Sequence, residues 1–356
     1  MTPLVPQNYR RKLLPVDLAL NGLVPFAMLF AFVFAITLHS APPRAAQAPS
    51  PALLILEKDD SMLAVADPVT FKIVGRVAAG ADPHEVAASS DGKTAYITNY
   101  GAFGTPLHTL SVVDLVTLQA RPAVELGALL APHGIENVGG KIYFTAEGSK
   151  ALGRYDPATD KVDWILGVGE NRTHMLVVAP DANRIFASDV NSDAISIFDR
   201  DKNADASGWR QTRVAVGKGP EGFDVSPDGK ELWAANSHDG TISIIDLTSR
   251  AVVATLDVKT KFANRLKFSP DGALVLISDL GTGDLVVLDA HARKEIKRLK
   301  VGSGVAGILL DLDGSRAFVA ASRDNFIAVI DLKTLAIVGK IPTGRGVDGL
   351  AWAVRK

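Results

Sequence analysis

Three histidines and one glutamate occupy the same position in four short segments that resemble one another. The segments are Asp82-Pro-His84, Ala131-Pro-His133, Arg172-Thr-His174 and Gly219-Pro-Glu221. Neutral imidazoles and a carboxylate that meet in a fold can bind a divalent metal ion, with Glu221 as a ligand or base and His174 as a second candidate for catalysis. The alternative interpretation is structural, because each imidazole would equally brace its turn by binding a backbone carbonyl.

Charged and polar residues near these segments favour a second kind of site. Arg172 and Arg265, together with the histidines, would suit an anionic or polar organic ligand. Other residues predicted at the same end of the molecule are candidates for ligand contact, although Asn and Asp at such places commonly close a turn with their own side chains. These candidates are Asn99, Asn236, His238 and Asp348, and less specifically Tyr100, Glu147, Asp189, Asn191 and Asp279.

The candidate residues belong to a repeat that extends over most of the chain. An Asp ends a short apolar stretch seven times, at intervals of 47, 42, 43, 47, 43 and 42 residues. A repeat of about 44 residues, present seven times, fills the sequence that follows residue 48. The repeated residues are Asp67, Asp114, Asp156, Asp199, Asp246, Asp289 and Asp331.

Each repeat carries the pattern of four short strands. In the copy that begins at Gly219, we predict strands at 223–226, 231–235, 241–245 and 251–256, with the turn Pro227-Asp-Gly-Lys230 after the first. Pro presets φ and Gly accepts positive φ, which makes this a strong turn sequence. Four strands at this period predict the blade of a β-propeller.

The two ends of the chain complement each other. Residues 53–77 supply three strands, and residues 350–354 supply one strand after a further copy of the segment that opens a repeat. Pairing that last strand with the first three would close the ring and remove open sheet edges. The sequence therefore predicts an all-β fold: one domain, residues 49–356, forming a seven-bladed β-propeller of four-stranded antiparallel blades. The histidine segments would lie at the mouth of its central channel.

One strand carries a resemblance to a known family. Ala95-Tyr-Ile-Thr-Asn99, which follows Ser90-Asp-Gly-Lys93, resembles the strand for which the YVTN family of β-propeller repeat proteins is named, and residues 185–189, 232–236 and 275–279 are degenerate versions. The resemblance spans residues 52–356 and implies the fold and, for many members, an extracytoplasmic location. It implies no single activity, since similar propellers include surface-layer and nucleic-acid-binding proteins, lactonases and streptogramin lyases. Seven-bladed rings also house heme d1, and copper clusters that draw on more histidines than the three aligned here.

The N-terminal segment predicts export. Arg10, Arg11 and Lys12 precede an apolar stretch from Leu18 to Leu38. A basic region, an apolar region and a small-residue site at 46–48 are typical of a signal peptide, and the length of the apolar stretch also suits a membrane anchor. We therefore interpret residues 1–48 as a signal peptide or membrane anchor and expect the rest to be periplasmic or extracellular.

Composition narrows the functional classes. The chain has no cysteine, which excludes disulfides, thiol nucleophiles and thiolate metal sites. Lys plus Arg number 38 and Asp plus Glu 39, so the net charge of -1 does not favour nucleic acid as a partner. We expect a monomer that meets a membrane only through its N-terminal segment.

Two functions remain compatible with this sequence. The first is an exported binding module that presents its loops to a protein, a peptide, a glycan or a small polar ligand. The alternative is an enzyme that uses the histidine cluster, either a metal-assisted lyase or hydrolase similar to streptogramin lyase, or a lactonase. The first needs only the fold, whereas the second needs His84, His133, His174 and Glu221 to converge.

Overall fold

In the computed structural model, residues 48–356 are described except for residues 103, 202 and 204–207, and they form 28 strands in seven four-stranded antiparallel sheets. The first fourteen strands are β1 (Ala52–Glu57), β2 (Met62–Asp67), β3 (Lys72–Ala78), β4 (Pro83–Ala88), β5 (Thr94–Ala102), β6 (Thr105–Asp114), β7 (Gln119–Glu125), β8 (Pro132–Val138), β9 (Lys141–Ala146), β10 (Ala151–Asp156), β11 (Lys161–Gly167), β12 (Thr173–Val178), β13 (Arg184–Asp189) and β14 (Ala194–Arg200). The other fourteen are β15 (Trp209–Ala215), β16 (Pro220–Val225), β17 (Glu231–Asn236), β18 (Thr241–Asp246), β19 (Ala251–Asp257), β20 (Ala263–Phe268), β21 (Leu274–Asp279), β22 (Asp284–Asp289), β23 (Lys294–Lys300), β24 (Val305–Leu310), β25 (Arg316–Ala321), β26 (Phe326–Asp331), β27 (Ala336–Pro342) and β28 (Val347–Ala353). Short 3-10 helices at Lys58–Asp60, Glu147–Ser149 and Val190–Ser192 follow β1, β9 and β13.

The predicted seven-bladed ring and its closure are confirmed. Six sheets contain consecutive strands, from β4–β7 to β24–β27, and the seventh has the order β28-β1-β2-β3. In that sheet Leu53 pairs with Trp352 and Ile55 pairs with Leu350. The C-terminal strand is therefore the innermost strand of the blade that the N-terminal strands begin.

The repeated Asp has a local role in the turn between the third and fourth strands of each blade. In six of the seven copies, all but Asp199, its carboxylate accepts a hydrogen bond from a backbone N–H two or three residues later. In the fifth blade, for example, Asp246 accepts from the N–H of Ser249 at 2.6 Å. A carboxylate that satisfies the turn's free donor explains why the sequence repeats Asp at this position.

The hydrophobic core is divided among the contacts between adjacent sheets. Seven clusters of buried side chains occur in the described residues, and each joins two neighbouring blades. The cluster between the last blade and the first, for example, joins Phe318 and Ile327 to Leu53 and Ile55. The outermost strands, such as β23, are mainly exposed. The buried side chains of each blade therefore lie between sheets, and each blade needs both neighbouring blades to bury its two faces.

Neighbouring blades approach closely along the first strands of the sheets, where some positions admit no side chain. A Cβ atom at Gly307 on β24 would lie 2.1 Å from the carbonyl oxygen of Asp348 on β28, and one at Gly134 on β8 would lie 2.9 Å from that of His174 on β12. These contacts bring the seven first strands together around a central channel, and the residues that line it come from all seven. We call the end at which these strands begin the channel mouth.

The predicted signal peptide or membrane anchor at residues 1–48 lies outside the described residues, apart from Ala48. In the described part of the chain, no helix has the length and apolar character that crossing a membrane requires.

Candidate functional site

The seven aligned positions of the repeat meet at the channel mouth. A cavity of about 270 Å³ is lined by all of them, one from each blade: His84, His133, His174, Glu221, Asn264, Ala306 and Asp348. A second set comes from the residue that follows the second strand of a blade, namely Lys58, Leu280 and Ser322, and from Tyr100, which has the equivalent position within the longer strand β5. Arg172, Phe262 and Arg265 complete the lining. We call this space the mouth cavity.

The backbone conformation before each first strand directs these side chains. In six of the seven blades the residue two positions before the aligned one has positive φ, namely Asp82, Ala131, Arg172, Gly219, Gly304 and Gly346. Glycine adopts this conformation freely, but Ala131 and Arg172, at φ of 52° and 56°, pay roughly 1 to 2 kcal/mol for it.

Hydroxyl side chains fix the aligned residues to the preceding blade. The hydroxyl of Thr98 donates to the carbonyl oxygen of His133 at 2.7 Å, that of Thr145 to His174 at 2.7 Å, and that of Ser188 to Glu221 at 3.1 Å. These three bonds set the positions of three site residues relative to the blade before them.

His174 lies between two carboxylates from neighbouring blades. Its Nδ1 contacts Oε1 of Glu147, and its Nε2 lies 3.1 Å from Oε1 of Glu221. All three side chains are buried. Arg172 ties the carboxylates together, with Nη2 at 3.4 Å from Glu221 and Nε at 3.8 Å from Glu147, and the Tyr100 hydroxyl donates to Glu147 at 2.7 Å.

This arrangement separates the ionisation of the three histidines. Burial alone would lower the pKa of His174, but the Glu221 and Glu147 carboxylates outweigh it and raise that pKa to about 9. Burial raises the pKa of Glu221, yet the His174 imidazolium and Arg172 outweigh burial and lower it to about 2. Burial and the charge of His174 lower the pKa of His133 well below its usual range, and burial and Lys58 lower that of His84. At neutral pH the site therefore holds one imidazolium and two neutral imidazoles.

The aromatic rings of the site pack against one another in tilted arrangements, with interplanar angles of 36° to 56°. The centroid of His133 lies 3.7 Å from that of His174 and 4.7 Å from that of His84, and Tyr100 lies 4.7 Å from His84. Nδ1 of His84 lies 3.0 Å from the carbonyl oxygen of Asp82, which is the contact that the structural interpretation predicts for a bracing histidine. Nδ1 of His133 is buried and has no hydrogen-bond partner.

The opposite side of the mouth cavity carries further ion pairs. Nζ of Lys58 lies 3.3 Å from Oδ2 of Asp348, and the guanidinium of Arg265 contacts Oε1 of Glu85 and lies 4.0 Å from Oδ1 of Asp348. Burial raises the pKa of Asp348, but Lys58 and Arg265 outweigh it and lower that pKa. Around the mouth cavity as a whole, three buried acceptor atoms have no hydrogen-bond partner: Oε2 of Glu221, Oδ1 of Asn264 and Oδ1 of Asp348.

Three predicted contact residues stand apart from this group. Asn99, Asn236 and His238 are not among the residues that line the mouth cavity. The amide of Asn99 donates to the hydroxyls of Thr109 and Ser111, and that of Asn236 makes the equivalent bonds in its own blade, so both close their turns. The ring of His238 packs 5.9 Å from that of Phe262.

Lys58 is the charged lining residue that the sequence did not suggest, and Leu280 and Ser322 at equivalent positions were not predicted either. It follows β1, the second strand of its blade, and so occupies the place that Tyr100 and Glu147 have in later blades. An alignment of the residues after all seven second strands would have found it. This equivalence is difficult to recognise in the sequence, because the segment that opens this blade lies at the C-terminal end of the chain, whereas Lys58 lies near its N-terminal end.

Comparisons with known proteins agree with the propeller fold. The cytochrome D1 heme domain family matches residues 141–308, slightly less than half of the chain. Antigen Lp49 of Leptospira interrogans is 29% identical over 94 residues, which cover 26% of this chain and 21% of the length of that relative.

Solved structures are similar over most of this chain at low sequence identity. A protein of unknown function from Desulfotomaculum acetoxidans has a TM-score of 0.71 and 14% identity over 86% of this chain and 100% of its own. A candidate 6-phosphogluconolactonase from Bacteroides uniformis has a TM-score of 0.70 and 17% identity over 85% and 99%. The dihydro-heme d1 dehydrogenase NirN in complex with DHE has a TM-score of 0.62 and 15% identity over 87% and 77%. At these identities the similarity shows the fold alone.

Proposed function

We propose that this protein is an exported binding module of the YVTN type and that its mouth cavity takes a small hydroxylated organic anion, such as a sugar acid. One small cavity holds both cationic side chains with unused hydrogen-bond donors and buried acceptors that have no hydrogen-bond partner. This combination is the observation that carries the proposal. Such a wall recognises a ligand that offers both a negative group and hydroxyls.

The unused donors belong to Arg172 and Lys58. The Arg172 side chain is 34% exposed, and a guanidinium has five N–H donors, of which the contacts to Glu147 and Glu221 occupy only some. Lys58 is 27% exposed and its ammonium group contacts only Asp348 among the described side chains, leaving donors free. A carboxylate or phosphate between these two groups would accept charge-assisted hydrogen bonds.

The acceptors favour a ligand that also carries hydroxyl groups. Oε2 of Glu221 and Oδ1 of Asn264 lie in the wall without a hydrogen-bond partner. A buried acceptor left unpaired costs about 1 to 3 kcal/mol. Ligand hydroxyls, directly or through water, would recover that free energy, whereas a simple inorganic anion would not.

The volume of the cavity sets the size of the ligand. About 270 Å³ is slightly below the roughly 300 to 1,000 Å³ of pockets for drug-sized ligands, so a small molecule fits. A tetrapyrrole, suggested by the heme domain match, does not fit this volume. We therefore derive no chemistry through a heme.

A second candidate function is the metal-assisted lyase or hydrolase, or lactonase, that the histidine cluster predicts. The observation that favours it is the grouping of His133, Glu147 and His174, whose ligand atoms lie within 4.8 Å of one another. Three protein ligands with a further open position are typical of catalytic zinc sites.

Calorimetric titration of the purified full-length chain tests the binding proposal. The probes are gluconate, 6-phosphogluconate, neutral glucose and hemin. Gluconate or its phosphate is expected to bind at least tenfold more tightly than glucose. Arg172→Gln is expected to weaken that binding about tenfold or more, because a hydrogen bond to a charged group contributes about 1.5 to 3 kcal/mol.

Arg184→Gln is the matched control. Arg184 is 37% exposed and pairs with a single carboxylate, Asp199, at 2.7 Å, but it lies outside the mouth cavity. It should leave the affinity unchanged. Equal affinity for glucose, absence of binding to both acids at millimolar concentration, or tight binding of hemin instead would overturn the proposal.

A further inference from the structure

We infer that His133, Glu147 and His174 form a binding site for one divalent transition-metal ion in the wall of the mouth cavity. This ligand set differs from the one that the aligned positions predict, because Glu147 replaces Glu221 and His84 is not a ligand. The inference goes beyond the binding of an organic anion, and its test uses no organic ligand.

The first observation is the proximity of the three groups. One ligand atom from each side chain lies within 4.8 Å of the others, and all three residues are buried, with exposures of 2%, 8% and 3%. Ligand atoms bound to one ion lie about 2.0 to 2.2 Å from it, and therefore closer to one another than 4.8 Å. Small movements of the three side chains would bring their ligand atoms to these distances.

The second observation is the unpartnered nitrogen of His133. Its Nδ1 is buried and makes no hydrogen bond, although the side chain lies among charged groups. A buried polar atom without a partner is uncommon in folded proteins and requires an explanation such as a bound ion. The rings of His174 and His84 pack against this imidazole, with centroids at 3.7 and 4.7 Å, and keep Nδ1 within the protein.

The third observation is that the groups around the site orient the other two ligands. Nε2 of His174 faces Oε1 of Glu221 at 3.1 Å and Nδ1 contacts Oε1 of Glu147, so an ion would bind between Nδ1 and Glu147 and displace the Nδ1 proton to solvent. Oε2 of Glu147 accepts from the Tyr100 hydroxyl at 2.7 Å, which directs Oε1 toward His174. A carboxylate behind a ligating histidine is the usual outer contact of zinc sites, so Glu221 is a positioning residue.

The donor set indicates the class of ion. Two imidazoles and one carboxylate suit Zn²⁺ and neighbouring first-row ions, whereas Mg²⁺ and Ca²⁺ prefer oxygen ligands. With three protein ligands, the ion would keep a coordination position open. Because His133 and His174 also line the mouth cavity, an ion held by them lies at its wall.

The experiment measures Zn²⁺ on the full-length chain after removal of metal with a chelator. Calorimetry and elemental analysis are expected to give one ion per chain. His133→Ala and Glu147→Gln are each expected to weaken binding by tenfold or more. Glu221→Gln is expected to weaken it about 10- to 100-fold while one ion per chain still binds at saturation. His238→Ala, a histidine outside the cavity, is the control and should bind as the parent does.

A spectroscopic measurement on the parent chain covers the case in which a variant fails to fold. X-ray absorption of the zinc-loaded protein is expected to show two imidazoles and an oxygen shell at about 2.0 to 2.2 Å. A shell without imidazole, absence of bound zinc, unchanged affinity in His133→Ala and Glu147→Gln, or loss of binding in His238→Ala would each overturn the inference. If the protein binds zinc but neither gluconate nor its phosphate, the metal site is supported and only the proposed organic ligand is rejected.

Discussion

Nε2 of His174 on β12 lies 3.1 Å from Oε1 of Glu221 in the next blade, and both side chains are at least 95% buried. The chain also contains an exposed pair with nearly the same separation, His108 and Glu125 at 3.2 Å, with side-chain exposures of 46% and 69%. The two pairs match in distance but differ in burial, and the buried pair also contacts Glu147 and Arg172.

Glu221→Gln is expected to destabilise the protein by about 3 kcal/mol at pH 7, because it leaves the buried His174 imidazolium and Arg172 with one carboxylate in place of two. Glu125→Gln is expected to cost less than about 1 kcal/mol, since solvent screens an exposed pair. Urea unfolding of both variants measures the difference. Equal costs would contradict the buried ion pair described above.

Gly307→Ala is expected to destabilise the ring by about 1 to 3 kcal/mol, because its Cβ would lie 2.1 Å from the backbone oxygen of Asp348 in the adjacent blade. Gly167→Ala is the control, since a Cβ there has no atom within 4 Å. It should change stability by less than about 0.5 kcal/mol. Thermal unfolding of the two variants tests the close approach of β24 and β28, and a Gly307→Ala protein as stable as the parent would argue against it.

Glu136 makes stability depend on pH through the central channel. Burial raises its pKa from an ordinary 4.5 to about 7, although the Val178 N–H and the charge of Lys267 act in the opposite direction, while Asp224 adds to the rise. The folded state then binds a proton more tightly than the unfolded state, so this group stabilises the fold below about pH 4.5 and the contribution is lost as pH rises through 7.

Glu136→Gln removes that dependence and keeps an oxygen to accept from the Val178 N–H. Relative to the parent, the variant should gain about 1 to 2 kcal/mol between pH 4.5 and pH 8, given that one pKa unit corresponds to about 1.4 kcal/mol and that Glu136 is half-buried. Urea unfolding at several pH values measures the gain. A stability difference that stays constant with pH would show that Glu136 does not titrate in this range.

Deletion of residues 349–356 is expected to leave the protein insoluble or grossly destabilised. It removes most of β28, exposes the edge of β1, and abolishes the hydrogen bond from Trp352 Nε1 to the Leu310 carbonyl at 2.7 Å. Deletion of Lys356 alone is the control. A truncated chain that remains soluble and melts within a few degrees of the parent would contradict closure by this strand.

Export is tested with a reporter fused after residue 60. A reporter that works only outside the cytoplasm is expected to be active, and a reporter that works only inside is expected to be inactive. A mature N-terminus near Pro49 would identify a signal peptide, and a full-length membrane-bound chain would identify an anchor. Activity of the cytoplasmic reporter would reject both.

The fold was predictable from the sequence because the repeated residues make local contacts within the turns of each blade. Asp246 and its equivalents accept from backbone donors a few residues away, and turns such as 227–230 need Pro and Gly at fixed places, so both leave periodic marks in the chain. The alignment of His84, His133 and His174 follows from the same period, because equivalent positions of a closed ring meet at one end of its channel.

The contacts within the site depended on the tertiary structure. Glu147 and Glu221 reach His174 from blades on either side of its own, and the separation of these side chains depends on the rotation between blades, which no local sequence pattern specifies. Solvent access also depended on the closed ring, since the same His–Glu pairing is exposed at His108 and enclosed at His174. Sequence by itself determined that the seven aligned positions, one from each repeat, share the channel mouth. Only the packing of seven blades decided which of them touch, because distance and solvent access are properties of the closed ring.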